Sequence, residues 1–209
     1  MGQSEAEAHL RGADPVLAGV IDRVGPLASG RDPSRPSSTD HYGALVRSIV
    51  GQQLSTRAAR AIYGRLLERF GGHPPTPAQI LAEEPEELRA AAGLSRAKVG
   101  FLRSLAEHVL SGGLELDRVA TLADEEVIAE LVAVKGLGVW TAHMFLMFQV
   151  ERPDVLAVGD LGVRRAVQRG WGFSELPDAA ALTELAAPWR PFRSTACRYL
   201  WRSLDATPV

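Results

Sequence analysis

Asp160 closes the run Pro153-Asp154-Val155-Leu156-Ala157-Val158-Gly159-Asp160, and Leu161-Gly162-Val163-Arg164-Arg165 follows with the marks of a helix. An aspartate so placed can cap the helix by accepting from its first amides. Held rigid by that cap, it can also present a carboxylate at the edge of a cleft. Both readings stay open on this run alone. Upstream lies Leu131–Phe148, LVAVKGLGVWTAHMFLMF. Here a helix is expected to end near Val134, Gly136-Leu137-Gly138 to form a tight turn, and a very apolar helix to begin at once. Glycine suits both turn positions because it tolerates positive φ and lets another backbone approach. The amides opening the second helix point outward as a ready phosphate site. A helix–hairpin–helix over residues 131–148 would grip a sugar–phosphate backbone without reading bases. A glycine pair between helices is equally an ordinary connection.

The elements around these residues read as helices. Apolar residues recur at three- and four-residue spacing in Leu45/Ile49, Ala58/Ile62/Leu66, Val99/Leu102/Ala106/Val109, Val127/Leu131 and Met144/Met147. No stretch alternates over strand length, so the chain is expected to be all-α, with about nine or ten short helices. Ser37-Ser38-Thr39-Asp40 is a cluster of N-cap types, and Gly71-Gly72-His73-Pro74-Pro75, Gly93, Gly112-Gly113 and Gly170 mark helix ends. Gly30–Ser38, rich in Pro, Ser and Arg, reads as a loop tethering an N-terminal helix to the body.

Composition narrows the class. The 209 residues are 46% hydrophobic, enough for one sizeable core or two small ones. The single cysteine, Cys197, excludes an internal disulfide framework and any four-cysteine cluster. Five histidines are scattered without metal-ligand spacing. No segment has the length and apolarity of a membrane helix, and the N-terminus lacks a signal-peptide layout, so a cytoplasmic protein is expected. The net charge is −2, but residues 83–130 hold 11 acidic against 5 basic side chains. The flanking segments are each slightly basic, which permits a local nucleic-acid contact.

Hairpin, Gly/Pro-containing loop and aspartate, in that order, resemble the helix–hairpin–helix (HhH-GPD) DNA glycosylase superfamily over most of residues 39–203. The segment LVRSIVGQQLSTRAARAIYGRL (45–66) is similar to the family's two helices joined at a Gly-Gln-Gln element that enters the minor groove. WRPFRSTACRYLW (189–201) is similar to the C-terminal helix of the alkylbase branch. The resemblance implies two helical subdomains, residues 1–38 with 151–209 and residues 39–150, and an active site in the cleft between them. It implies that Asp160 is catalytic, that Gln53 and Leu54 fill the gap left by a flipped base, and that Lys135, Gly136, Gly138, Val139 and Thr141 hold the DNA backbone. It further implies a structural Na⁺ or K⁺ on the carbonyls of Val132, Val134 and Leu137, with no cofactor needed for catalysis. Arg164, Arg165, Arg190 and Arg193 are expected as rim contacts.

Position 140 separates two chemistries within that superfamily. Lyase-competent members carry a lysine there, in hairpins of the type LPGVGRKTA, to form a Schiff base. Here VKGLGVWTA places Trp140, so a hydrolase without AP-lyase activity is expected, similar to the DNA-3-methyladenine glycosylase II branch. Purines alkylated at N3 or N7 are cationic and attract aromatic faces. Trp140, Trp201 and Met144 are the expected base pocket, with Met144 where the family has a bulky tyrosine. The expected partner is double-stranded DNA containing alkylated bases. The protein is expected to act as a monomer, associated with the nucleoid and not with a membrane. Two alternatives are a glycosylase for deaminated or mismatched bases and a non-catalytic DNA-structure binder.

Overall fold

Capping chemistry sets where the helices begin. In the computed structural model, which describes residues 2–27 and 40–205, side chains at six helix starts accept from the first free amides. Asp14 caps α2 (Pro15–Val24), Ser55 caps α4 (Thr56–Arg69) and Ser95 caps α7 (Arg96–Leu110). Thr76 and Gln79 form a reciprocal capping box on α5 (Pro77–Ala82), each satisfying the other's backbone amide. The remaining α-helices are α1 (Gln3–Ala13), α3 (His41–Gly51), α6 (Pro85–Ala92), α8 (Asp124–Ala133), α9 (Val139–Phe148), α10 (Leu161–Trp171), α11 (Ala179–Leu185) and α12 (Arg193–Asp205). Among the described residues there are no strands, and the fold is all-α. No helix there is long and apolar enough to cross a membrane. The twelve α-helices among the described residues exceed the expected nine or ten because α5, α6 and α11 have only 6, 8 and 7 residues. Those lengths are too short to register as periodicity. The Gly30–Ser38 segment and the expected caps Ser37, Ser38 and Thr39 lie outside the described residues. Asp40 takes the N-cap position of α3 without a capping hydrogen bond.

The chain divides into two compact units, Ser38–Phe145 and Met1–Ser37 with Leu146–Val209. In the first, α3 packs on α4 and α7, and α5 and α6 pack on α7. Its core includes Leu45, Ile49, Leu66, Leu102 and Leu105, all fully buried. Each such side chain contributes about 1.5–3 kcal/mol relative to exposure.

In the second unit, α1 and α2 pack against α12, and α2 also packs against α10. The link is polar as well as apolar. Asp14 is buried, and its Oδ1 accepts the amides of Val16 and Leu17 while its Oδ2 accepts the indole N–H of Trp171 at 3.1 Å and of Trp189 at 3.0 Å. A carboxylate can be buried this way because its lone pairs find donors. Farther along, the Tyr199 hydroxyl donates to Glu7 at 2.6 Å and Gln3 donates to the same carboxylate at 2.9 Å. Those two bonds hold the Glu7 carboxyl below the ordinary carboxylate range, Tyr199 being the larger cause.

Candidate active site

The hairpin turn and the start of α9 belong to the first unit, which ends at Phe145 within that helix. Past the end of α8 the buried Val134 is extended, and its carbonyl accepts the Leu137 amide at 3.0 Å, closing the turn. Gly136 has φ +93°, and a Cβ on it would overlap the ring of Phe101. Glycine is therefore required there twice over, by conformation and by space. Gly138 differs from expectation. It has no positive φ and nothing lies within 4 Å of where its Cβ would be. Its carbonyl accepts from Ala142 at the first turn of α9, so what its missing side chain provides is open access to that helix start. Lys135, Gly138, Val139 and Trp140 are exposed, whereas Leu137 and Thr141 are buried. Met144 is half-buried one turn beyond Trp140.

The turn between α3 and α4 is braced against this hairpin. Gln52 donates its side-chain amide to the Gly136 carbonyl at 2.8 Å. Lys98 donates its ammonium to the Val50 carbonyl at 2.7 Å, where burial pushes the lysine below its ordinary pKa. The Lys135 amide donates to Ser104 Oγ at 3.3 Å. At the apex Gln53 is exposed with φ +56°, a left-handed conformation that non-glycine residues seldom hold. Leu54 beside it is also exposed. The two expected gap-filling residues therefore stand together on one braced turn.

Asp160 belongs to the second unit and opens α10 as its N-cap. Its Oδ1 accepts the Val163 amide at 2.8 Å and, from the far end of the sequence, the Trp201 indole N–H at 2.7 Å. Cap and carboxylate are thus one residue, and these two donors meet on one oxygen. The Trp201 ring is stacked on Phe148 with centroids 5.8 Å apart and planes at 29°. The loop leading to Asp160 is stitched to α12. The Ser194 amide donates to the Pro153 carbonyl at 3.0 Å, and its hydroxyl donates to Arg152 and accepts from Val155. Arg193 grips the Asp154 carboxylate through Nε at 2.7 Å and Nη2 at 3.0 Å. Val155, Leu156 and Ala157 are buried, and a turn from the Asp160 amide to the Ala157 carbonyl delivers the aspartate. Burial under this loop pushes the Cys197 thiol up to about 12, so it serves as packing.

These bonds revise the expected rim arginines. Arg193 and Arg190 are paired with Asp154, the latter at 3.1 Å, and Arg164 donates to the Pro177 carbonyl at 2.7 Å. They hold the chain's own loops; Arg165 is exposed. Phe101, Ser194 and Asp154 escaped sequence reasoning because a supporting residue has no motif of its own, and Gln52, read as part of the Gly-Gln-Gln element, turns out to brace the hairpin. Trp201 was expected only as a pocket wall, and its bond to Asp160 spans 41 residues with no periodic signal. Among the described residues no group of three His, Cys, Asp or Glu side chains could hold a metal ion.

Comparison with known proteins places this geometry. A family model described as HhH-GPD superfamily base excision DNA repair protein matches residues 46–191. The DNA-3-methyladenine glycosylase 1 of Schizosaccharomyces pombe is 32% identical over 202 residues, 96% of this chain and 87% of that protein. Among solved structures, a Bacillus halodurans DNA-3-methyladenine glycosidase superposes with TM-score 0.82 at 37% identity, over 95% of this chain and 88% of that one. The Schizosaccharomyces pombe 3-methyladenine DNA glycosylase Mag1 in complex with abasic DNA superposes with TM-score 0.80 at 32% identity, over 94% and 95% of the two chains.

Proposed function

Because the chain belongs to the HhH-GPD superfamily of base excision DNA repair proteins, we propose that it is a monofunctional glycosylase that excises alkylated purines from double-stranded DNA. The observation that carries this reading is Asp160, a carboxylate fixed through Oδ1 by the Val163 amide and the Trp201 indole. A binding module would gain nothing from a rigid anion in the company of phosphates.

A purine alkylated at N3 or N7 already carries positive charge. The glycosidic bond breaks with its electron pair going to the base, which departs neutral, and the cationic charge passes to the deoxyribose. The Asp160 carboxylate stabilises that oxocarbenium charge and orients the water that attacks C1′, whose proton goes to the carboxylate or to solvent. Trp140, 47% exposed in the first turn of α9, offers an electron-rich face to a cationic base. It also stands where a Schiff-base lysine would be needed, so no covalent sugar intermediate forms at that position. Gln53 and Leu54 enter the gap left by the extruded nucleotide, offsetting part of the few kcal/mol that unstacking costs. The amides opening α9, with Lys135 nearby in sequence, take a phosphate. The protein works as a monomer.

The carbonyls of Val132, Val134 and Leu137 fit a Na⁺ or K⁺ by donor chemistry. They are hard oxygen donors around the C-terminal end of α8, where the helix dipole is negative. The Val134 carbonyl, already accepting from Leu137, keeps a second lone pair. A bound cation would add positive charge to the backbone-binding hairpin.

The test is base release from methylated duplex DNA by the purified protein. Release of 3-methyladenine or 7-methylguanine without strand nicking is expected, and Asp160→Asn should abolish release while retaining binding. No release from any alkylated or deaminated substrate would overturn the enzyme reading; nicking of the abasic product by the protein would overturn its monofunctional part.

A further inference from the structure

Trp201 was expected to form a wall of the base pocket, but its polar edge is engaged elsewhere. Resting on the reading of Asp160 as the catalytic carboxylate, we infer that Trp201 is its positioning residue and that Gly162 is the gap in which their bond is made. Three observations on separate residues meet here. The indole N–H donates to Asp160 Oδ1 at 2.7 Å, within the range of a charge-assisted bond. The ring is held in that orientation by stacking on Phe148. Gly162, two residues past the carboxylate, lies directly beneath the bond. A Cβ there would lie 3.0 Å from Asp160 Oδ1, 3.0 Å from Trp201 Cδ1 and 3.2 Å from Trp201 Nε1. A side chain at 162 crowds both partners of the bond, and one of them must give by a few tenths of an ångström.

Gly162 has no positive φ. Conformation therefore does not demand glycine in the first turn of α10, where alanine would favour the helix by up to about 1 kcal/mol. The space beside the Trp201–Asp160 bond favours it, a Cβ there being tighter than an ordinary contact to both partners. The consequence for the reaction follows from the rotational freedom of a carboxylate. The cap from Val163 restrains one carboxylate oxygen from the side of α10. A second donor on that oxygen, arriving from α12, restrains the carboxylate further and ties its placement to a distant helix. Small errors of placement are costly in a site that acts by preorganised charge.

The experiment is single-turnover release of 7-methylguanine from defined duplex DNA, with binding measured in parallel, for Trp201→Phe, Gly162→Ala, the double variant, and Trp201→Phe in the Asp160→Asn background. Phenylalanine keeps a ring for Phe148 and removes only the donor. Loss of a hydrogen bond to a charged group predicts a rate reduced roughly tenfold to hundredfold, with lesion-DNA affinity changed less than about threefold. Gly162→Ala should slow release in the native background and add little to Trp201→Phe, because both remove one bond. Trp201→Phe should have no further effect on Asp160→Asn. A Trp201→Phe protein that melts like the parent and keeps the full rate overturns the inference. So does one whose rate is kept while lesion affinity drops, which would make Trp201 a pocket wall. Fully additive effects of the two variants overturn the role of Gly162. An active Asp160→Asn protein overturns the catalytic reading beneath it, a result distinct from the others.

Discussion

The Gln52 side-chain amide donates to the carbonyl of Gly136 at 2.8 Å, joining the turn that carries Gln53 and Leu54 to a hairpin 84 residues away. Wedge and backbone grip are thereby one mechanical piece within their unit. Gln52→Ala should lower stability by about 0.5–1.5 kcal/mol. It should also weaken binding to an abasic-site duplex more than binding to undamaged duplex, since only the former uses wedge and grip together. Equal weakening of both in a filter-binding titration would contradict this.

Gly136→Ala should be much more damaging than Gly138→Ala. The first forces a Cβ into a left-handed residue and into the Phe101 ring, for a cost of about 2–4 kcal/mol. The second meets open space, so its fold should survive while phosphate contact at the α9 start weakens. Denaturant melts of both variants, with salt-dependent DNA binding of the second, make the comparison.

Asp160→Asn keeps an oxygen that can cap α10 and accept from Trp201. Its unfolding free energy should stay within about 0.5 kcal/mol of the parent while base release falls at least about a hundredfold. Asp160→Ala should lose activity and about 1 kcal/mol of stability together. Calorimetry beside a release assay separates the two roles of this one side chain.

Trp140→Ala should weaken binding of duplexes with cationic 7-methylguanine about 3–30-fold, the range of a cation–π contact. Binding of a duplex carrying a neutral purine lesion should change less. Parallel titrations with the two lesions decide it, and equal losses would mean that only ring area matters.

Glu7 supplies a pH prediction. Its carboxyl is held below the ordinary range in the folded protein, chiefly by the Tyr199 hydroxyl, so the unfolded chain binds this proton more readily. The stabilisation is present at neutral pH and is lost as the pH falls through the ordinary carboxylate range toward the lowered value. Tyr199→Phe should reduce stability at pH 7 more than at pH 3, measured by urea melts at both.

Particular residues show what was readable from the sequence. The hairpin and Asp160 stood out because glycine pairs and a loop-ending aspartate are local signals. The longer helices announced themselves by spacing. The short α5, α6 and α11 did not, being set by Thr76, Pro77 and Pro85, and Asp178 instead of by an apolar stripe. Gly138 was assigned the wrong reason, because a symmetrical motif concealed two different jobs. Trp201, Gln52 and Arg193 were misread or missed because their roles exist only once distant helices have packed.

The buried carboxylate of Asp14 bears on how the chain is made. Its two indole donors lie 157 and 175 residues downstream. At ribosomal rates of about 5–20 residues per second, helices α1 and α2 wait roughly 10–30 s after emerging before those partners exist. The uninterrupted Ser38–Phe145 segment is translated within that interval. Until Trp171 and Trp189 have been made, the Asp14 carboxylate has only water where the two indoles later donate, so burial of α1 and α2 against the later helices must follow their synthesis.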